Sequence, residues 1–262
     1  TIAIFCSADF SAAGGRPAQY RRNSIETLRT AFDLARATRC EHFVFISSTA
    51  VHYAYEDQLL LDEASPLPIH AINPYAAAKR EGEEMVAASG LPYTILRPRA
   101  LFGPGDTVVF PRILHAAHRK MLPRIIRPDG GNAIIDLLYI DNLAEMVWRV
   151  VETKTMGTLI LTNGEPVGAY AMLEAVLAGL GLPAPVRRMP LRLAMTAARM
   201  MELHSMLFAR WREPPVTRFG VASLAYSKTF DTTLARRSLG AMPISMAEGT
   251  ERFVSWQRTR LQ

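Results

Sequence analysis

A tyrosine and a lysine four residues apart, Tyr75 and Lys79, sit in the run Asn73-Pro74-Tyr75-Ala76-Ala77-Ala78-Lys79. On a helix that spacing stacks the two side chains on one face. A phenol ordinarily releases its proton near pH ~10. An ammonium held beside it stabilises the phenolate, so Lys79 is expected to bring Tyr75 down toward neutrality, where general acid–base catalysis works best. A serine hydroxyl at a neighbouring strand tip can hold the reacting oxygen, and the apolar stretch Glu41 to Ile46 runs straight into Ser47-Ser48. Together these residue types point to proton transfer to or from a carbonyl or alcohol oxygen. Tyr-x-x-x-Lys alone is a weak signal, equally satisfied by a surface Tyr and a solvated Lys; its context must decide.

The elements around the motif read as alternating strands and helices. Strands are expected over 2–7, 43–47 and 93–98, and helices over 24–38 and 74–89. The second helix is marked by Asn73-Pro74 at its start and Gly90 at its end. Strand, loop, helix, strand in this order predicts an α/β fold with a parallel sheet. Residues 134–151 are expected to return to that sheet, with Asp141 capping a helix. From Gly157 a smaller part follows: a strand over 158–162, a helix from Ala169 to Gly179, a Pro-bounded segment near 183–190 and closing helices. Ser245 and Glu248 form a capping box for the last of these.

With these residues in place the chain resembles the extended short-chain dehydrogenases/reductases of the NAD-dependent epimerase/dehydratase superfamily. The pattern is nearest to the 3β-hydroxysteroid dehydrogenase-like branch, which includes bacterial 2-alkyl-3-oxoalkanoate reductases. The anchors are Phe45 to Val51, Asn73 to Lys79, Leu96 to Asp106, Tyr139 to Ala144, Asn163 to Pro166 and Phe230 to Gly240. The resemblance implies a Rossmann-like doubly wound parallel sheet over 1–156, with 102–133 covering the substrate, and a mainly helical substrate-binding part over 157–262. It implies NAD or NADP as cofactor. Tyr75 would be the acid/base, Lys79 would bond the nicotinamide ribose, Ser48 would hold the reacting oxygen and Asn23 would keep a water near Lys79. Ser7, Ala8, Ser47, Pro98, Ala100 and Leu101 would line the cofactor together with Tyr75 and Lys79. The implied activity interconverts a hydroxyl and a ketone on a small hydrophobic substrate of 3β-hydroxysteroid or 3-oxoacyl type. Two other readings stay open: a nucleotide-sugar epimerase or dehydratase, and a non-catalytic scaffold or regulatory subunit. Epimerases usually carry Phe-Asn or Tyr-Asn after the third strand, where this chain has Arg99-Ala100-Leu101.

The chain also departs from the family. No strand, G-x-G-x-x-G, helix sequence is present, and the chain opens at Thr1 directly on Ile2-Ala3-Ile4-Phe5-Cys6. In the family that strand is the fourth of the sheet, so an N-terminal dinucleotide-binding segment of two or three βα units is expected to be missing. Phe5 stands where a His is common, and Glu26 where a Gly is.

Bulk composition fits a globular enzyme. The 262 residues are 49% hydrophobic and 21% charged, with a net charge of +6. The excess arginine is spread along the chain without zinc spacing or an aromatic–basic platform, so no nucleic-acid partner is expected. The two cysteines, Cys6 and Cys40, show no metal or disulfide spacing and are expected to be buried thiols. His115 and His118 share a helix face with no third ligand, so no metal is expected. No signal peptide is visible and no stretch reaches the ~20 apolar residues of a membrane span; a cytoplasmic location is expected. Leu191 to Trp211 is Met-rich, apolar on most faces and interrupted by arginines. Such a segment suits irregular apolar shapes or a membrane surface, which would give a peripheral membrane contact. Core packing and a dimer contact are the plainer uses, and the family often forms homodimers through two helices per subunit.

Overall fold

Four parallel strands carry the candidate residues, and the sequence explains why they are central. The computed structural model describes residues 1–6, 20–107, 110–208, 214 and 216–261. In chain order its elements begin with β1 (Ile2–Cys6), a π-helical turn (Arg21–Glu26), α1 (Thr27–Ala37), β2 (His42–Ile46), a 3-10 turn (Thr49–His52), β3 (Gln58–Leu61), α2 (Pro74–Ala87) and β4 (Tyr93–Pro98). There follow β5 (Leu101–Phe102), α3 (Phe110–His118), β6 (Arg124–Ile126), β7 (Ile134–Ile135), β8 (Leu138–Tyr139), α4 (Ile140–Thr153), β9 (Gly157–Leu161) and β10 (Val167–Gly168). The chain closes with α5 (Ala169–Gly179), β11 (Arg188–Pro190), α6 (Leu191–Phe208), α7 (Arg218–Ala225), β12 (Lys228–Phe230), α8 (Thr233–Leu239) and α9 (Met246–Leu261).

The main sheet has the order β1-β2-β4-β9, all parallel. β2, His-Phe-Val-Phe-Ile, is buried at every position, as a strand covered on both faces must be. Phe43 and Phe45 pack with Leu28, Phe32 and Ala35 of α1 and Val86 of α2. Val44 and Ile46 pack on the opposite face with Met146 and Val150 of α4 and Ala235 and Leu239 of α8. The sheet is therefore covered on both faces: the parallel α/β sheet expected from the pattern is doubly wound, as the family resemblance implies. Gly82 fits this arrangement because a Cβ there would lie 2.7 Å from Phe45 Cζ, so α2 can approach the sheet closely.

A second sheet, β10-β7-β12-β3, lies under the C-terminal part. Here α5 and α9 share one apolar cluster with Phe102, Phe110 and Tyr139, while α5, α6 and α7 share another with Leu114 and Ile125.

Several expectations need correction. The strand after α4 belongs to the main sheet, with Leu96 opposite Leu159 and Pro98 opposite Leu161; the core therefore runs past residue 156. Residues 134–139 instead join β12 and β5 in the smaller sheets. Asp141 does not cap α4: Tyr139 is the cap residue, without a side-chain bond, and Asp141 lies in the first turn, where it complements the helix dipole. The first helix opens as a π turn. Cys40 is buried but Cys6 is exposed, because β1 is paired only with β2 among the described residues. At the end of the chain Ser245 Oγ accepts from Glu248 N at 3.2 Å, whereas the Glu248 carboxylate pairs with Arg252.

Candidate active site

Helix α2 brings Tyr75 and Lys79 to the C-terminal end of β2 because its start is fixed locally. Asn73 is extended and its Oδ1 accepts from Ala76 N at 2.8 Å, with Pro74 in the first turn. Tyr75 therefore sits in the first turn, half-buried, and Lys79 one turn deeper, only 3% exposed. The Lys79 ammonium donates to the Ile46 carbonyl at 2.7 Å. It also lies 5.3 Å from the Phe45 ring centroid and 5.8 Å from that of Tyr75.

Ser48 is the extended residue that caps the 3-10 turn, its Oγ accepting from Ala50 N at 3.2 Å. Its hydroxyl also hydrogen-bonds the Tyr75 phenol. The structure thus brings Ser48, Tyr75 and Lys79 together.

The electrostatics differ from the expectation at Tyr75. Burial pushes its phenol up to about 12, and the Ser48 hydrogen bond opposes this only in part. Burial sets the direction because the phenol has lost its solvation, while the Lys79 ammonium lies over the ring face and donates to the Ile46 carbonyl. Burial likewise lowers Lys79, from 10.5 to about 8.

Ser47 takes a structural position. Its Oγ donates to Glu83 Oε1 at 2.5 Å, and Glu83 is forked by Arg97 at 2.9 and 2.7 Å. Arg97 Nη1 lies 2.9 Å from His52 Nε2. Burial, then the Arg97 charge, lowers His52 to about 4. This buried network ties β2, α2, β4 and the 3-10 turn together and fixes the frame on which the Tyr, Lys and Ser are mounted.

Of the other sequence candidates, Asn23 is exposed in the π turn that packs against α2, its carbonyl accepting from the Thr27 hydroxyl. Pro98 ends β4 opposite Leu161. The Ala100 carbonyl accepts from Leu138 N at 3.1 Å, and Leu101 opens β5 and packs with the cluster around Val44. Ser7 and Ala8 lie outside the described residues. Among the described residues no cluster of His, Cys, Asp or Glu has the makings of a metal site.

A charged group beside the site was not foreseen. Arg99 and Lys228 are 4% and 2% exposed. Arg99 Cζ lies 5.1 Å, and Lys228 Nζ 5.8 Å, from the centroid of the same ring, Tyr53. The Tyr53 hydroxyl is 3.2 Å from Thr49 Oγ1. The only sequence signal was Arg99, standing where sugar epimerases carry an aromatic residue before their Asn. Nearby, Arg127 forks Asp57 at 2.7 and 2.6 Å and Asp129 at 3.0 and 2.8 Å. Asp57 Oδ1 also accepts from Ser227 N at 2.7 Å, immediately before Lys228.

Ligands of open parallel sheets bind beyond the carboxyl ends of the strands, which is where Ser48, Tyr75, Lys79 and Pro98 to Leu101 gather. A buried ammonium there suits the ribose hydroxyls of a nicotinamide nucleotide, and the residues present fit that end of the cofactor. A glycine-rich turn for the pyrophosphate is not in the sequence.

Residues 4–159 match the NAD dependent epimerase/dehydratase family. The chain is 32% identical to the uncharacterized protein YbjS of Escherichia coli K12, over 87% of this chain and 73% of that protein. It is 30% identical to a 2-alkyl-3-oxoalkanoate reductase of Shewanella oneidensis, over 83% of this chain but only 60% of the reductase. Among solved structures it superposes on a UDP-glucuronic acid 4-epimerase of Bacillus cereus in complex with NAD. That match has a TM-score of 0.69 and 17% identity, and covers all of this chain and 75% of that one; it shows the shared fold. By the reach of the family match and the geometry at the end of β2, the chain belongs to the NAD dependent epimerase/dehydratase family.

Proposed function

We propose that the protein is an NAD(P)-dependent oxidoreductase that interconverts a ketone and an alcohol on a hydrophobic substrate of 3-oxoacyl or 3β-hydroxysteroid type. The observation that carries this reading is the hydrogen bond between Ser48 and Tyr75 above the buried Lys79 ammonium. The reductase from Shewanella supports the reaction class. Likeness to sugar epimerases is one of fold alone, and Ala100 stands where those enzymes use an Asn toward the diphosphate.

When bound, the nicotinamide cofactor supplies or accepts the hydride. This chain's residues handle the oxygen. Ser48 donates to the substrate oxygen and holds it against Tyr75. In reduction, the Tyr75 phenol passes its proton to that oxygen as negative charge develops there, and the Lys79 ammonium steadies the phenolate that remains. A phenol pushed up to about 12 stays protonated across neutral pH, which suits the reductive direction. Oxidation needs the phenolate, so its rate is expected to climb with pH, while reduction stays flat only until Lys79 loses its proton near pH 8.

A hydrophobic substrate also gives a use for α6. No helix among the described residues is long and apolar enough to cross a membrane. Yet Leu193, Met200, Leu207 and Phe208 on α6 are all more than half exposed, and Arg192 and Arg199 border them, also exposed. The reading assigns this face to a peripheral contact with an anionic bilayer.

Titration with NADH and NADPH, followed by turnover of 3-oxo substrates, tests the proposal. Tyr75→Phe is expected to cost about 10²–10⁴-fold in kcat while cofactor affinity stays near wild type. Equal turnover in that variant would remove Tyr75 from its role.

A further inference from the structure

The corner where α3 gives way to β6, beside the start of β11, carries positive charge with nothing to answer it. β6 and β11 pair in parallel with Arg124 opposite Arg188, and Arg124 N donates to the Arg187 carbonyl at 2.7 Å. The segments leading into the two strands, Arg119 to Met121 and Val186 to Arg187, therefore enter side by side. Arg119, Lys120, Arg187 and Arg188 are all exposed, and none has an ion pair among the described residues. Elsewhere surface arginines face acids along their own helices: Arg36 with Asp33, Arg80 with Glu84 and Arg252 with Glu248. Here the sequence provides none, because residues 107–128 and 175–201 contain no Asp or Glu. The nearby acid, Glu174, is taken by Arg124.

Two apolar side chains stand out among these cations: Met121 is 65% and Val186 85% exposed. Their backbones are held from below. Lys120 turns left-handed at φ 55°, and Met121 N closes α3 by donating to the Ala116 carbonyl at 2.9 Å, a common helix stop. Tyr170 Oη donates to the Pro123 carbonyl at 3.2 Å and accepts from Ile125 N at 2.6 Å. Pro183 and Pro185 stiffen the approach to Val186, and Leu122, Leu182 and Met189 fold into the cluster beneath. The two tips are thus presented on a fixed frame, with little ordering left to lose on contact. Anionic headgroups answer the cations while Met121 and Val186 reach the acyl boundary. A nucleic acid would leave both tips in water, and neither segment has an aromatic ring on which a base could stack. A second copy of the same corner would bring like charges together.

We infer that this corner binds the headgroups of anionic phospholipid, a second point of contact beside α6 that fixes how the protein sits on a bilayer. β11 runs from the corner straight into α6 at Leu191. The two contacts are separated by the three residues of that strand, about 10 Å. The inference rests on the bilayer reading of α6 for the kind of partner, but not for the site.

The test is co-sedimentation with vesicles of phosphatidylcholine, alone or mixed with phosphatidylglycerol. It compares wild type with Arg187→Gln/Arg188→Gln, Met121→Ser/Val186→Ser and Met200→Glu/Leu207→Glu. All the replaced side chains are exposed, and unchanged melting temperatures serve as the control. Wild type is expected to prefer the anionic vesicles and to lose that preference in high salt. Each Lys or Arg near such a surface is worth about fivefold in partition, so Arg187→Gln/Arg188→Gln is expected to bind anionic vesicles about 25-fold more weakly, with neutral vesicles unaffected. Met121→Ser/Val186→Ser is expected to weaken the binding that survives in high salt. Wild-type affinity for anionic vesicles in Arg187→Gln/Arg188→Gln overturns the inference; if Met200→Glu/Leu207→Glu still fails to bind, α6 keeps its reading. Loss in the corner variants alone keeps the corner and removes α6. No preference for anionic vesicles by wild type removes both. Tighter binding of wild type to a single-stranded oligonucleotide than to vesicles, lost in Arg187→Gln/Arg188→Gln, gives the corner to nucleic acid and overturns the inference.

Discussion

Lys79 places catalysis and stability in opposition within one side chain. Its folded pKa is about 8 against an ordinary 10.5. Below pH 8 the group is charged in both states, and the folded protein bears the full cost of burying that charge. Between about pH 8 and 10.5 the folded state sheds the proton while the unfolded state keeps it, so this penalty is relieved as pH rises. The shift corresponds to about 3 kcal/mol at most. Lys79→Met is therefore expected to be inactive yet more stable than wild type by about 1–2 kcal/mol at pH 7, after losing the bond to Ile46. The gain should shrink toward pH 10, and urea unfolding at the two pH values would measure it; a variant less stable at pH 7 would contradict the argument. The spacing of Tyr75 and Lys79 was legible in the sequence, but the direction of the Tyr75 shift was not. That direction depends on how deeply the phenol is enclosed, which no interval between residues encodes.

At the scale of elements, local signals were read well and non-local ones poorly. Asn73, Pro74 and Gly90 announce the ends of α2 by their own backbone chemistry. The C-terminal half gave the α5 limits in the same way. By contrast, the sequence alone places Gly157–Leu161 with the substrate-binding part, because its partner, β4, lies far away in sequence; only pairing decides which sheet a strand joins. Likewise Ser47 read as a cofactor contact, since nothing near it in sequence discloses Glu83 beneath. The Ser47–Glu83–Arg97–His52 network gives a prediction at this scale. Glu83→Gln leaves the Arg97 guanidinium, 9% exposed, without its anion. Unfolding is expected to become easier by about 3 kcal/mol, with a fall in the melting temperature read by calorimetry. Turnover should fall too, because the end of β2 that presents Ser48 loses its brace.

Across the whole molecule, the distribution of apolar surface sets how the protein meets its surroundings. The sequence showed that Leu191 to Trp211 was unusually greasy, but not which face was outward. The structure uses Leu191, Ala194 and Ala198 for the interior and leaves larger residues outside. The acidic residue within α6, Glu202, is paired with Arg218, so the outward face is apolar and cationic. Two such faces would repel across a symmetric contact, whereas anionic lipid attracts them. Co-sedimentation is expected with vesicles containing phosphatidylglycerol, weaker in high salt, and much reduced in Met200→Glu/Leu207→Glu. Sedimentation as a dimer that this double variant dissociates, with no vesicle binding, would assign the face to a second copy instead.

The double fork of Arg127 bears on how firmly the start of β12 is held. One arm, to Asp129, stands in water, while the other, to Asp57, is more sheltered and also grips the peptide next to Lys228. Dissolved ions screen the outer arm far more than the inner one. Rising ionic strength should thus loosen the tie to Asp129 before the tie to Asp57, so the hold on the peptide that leads into β12 relaxes by degrees instead of failing at once.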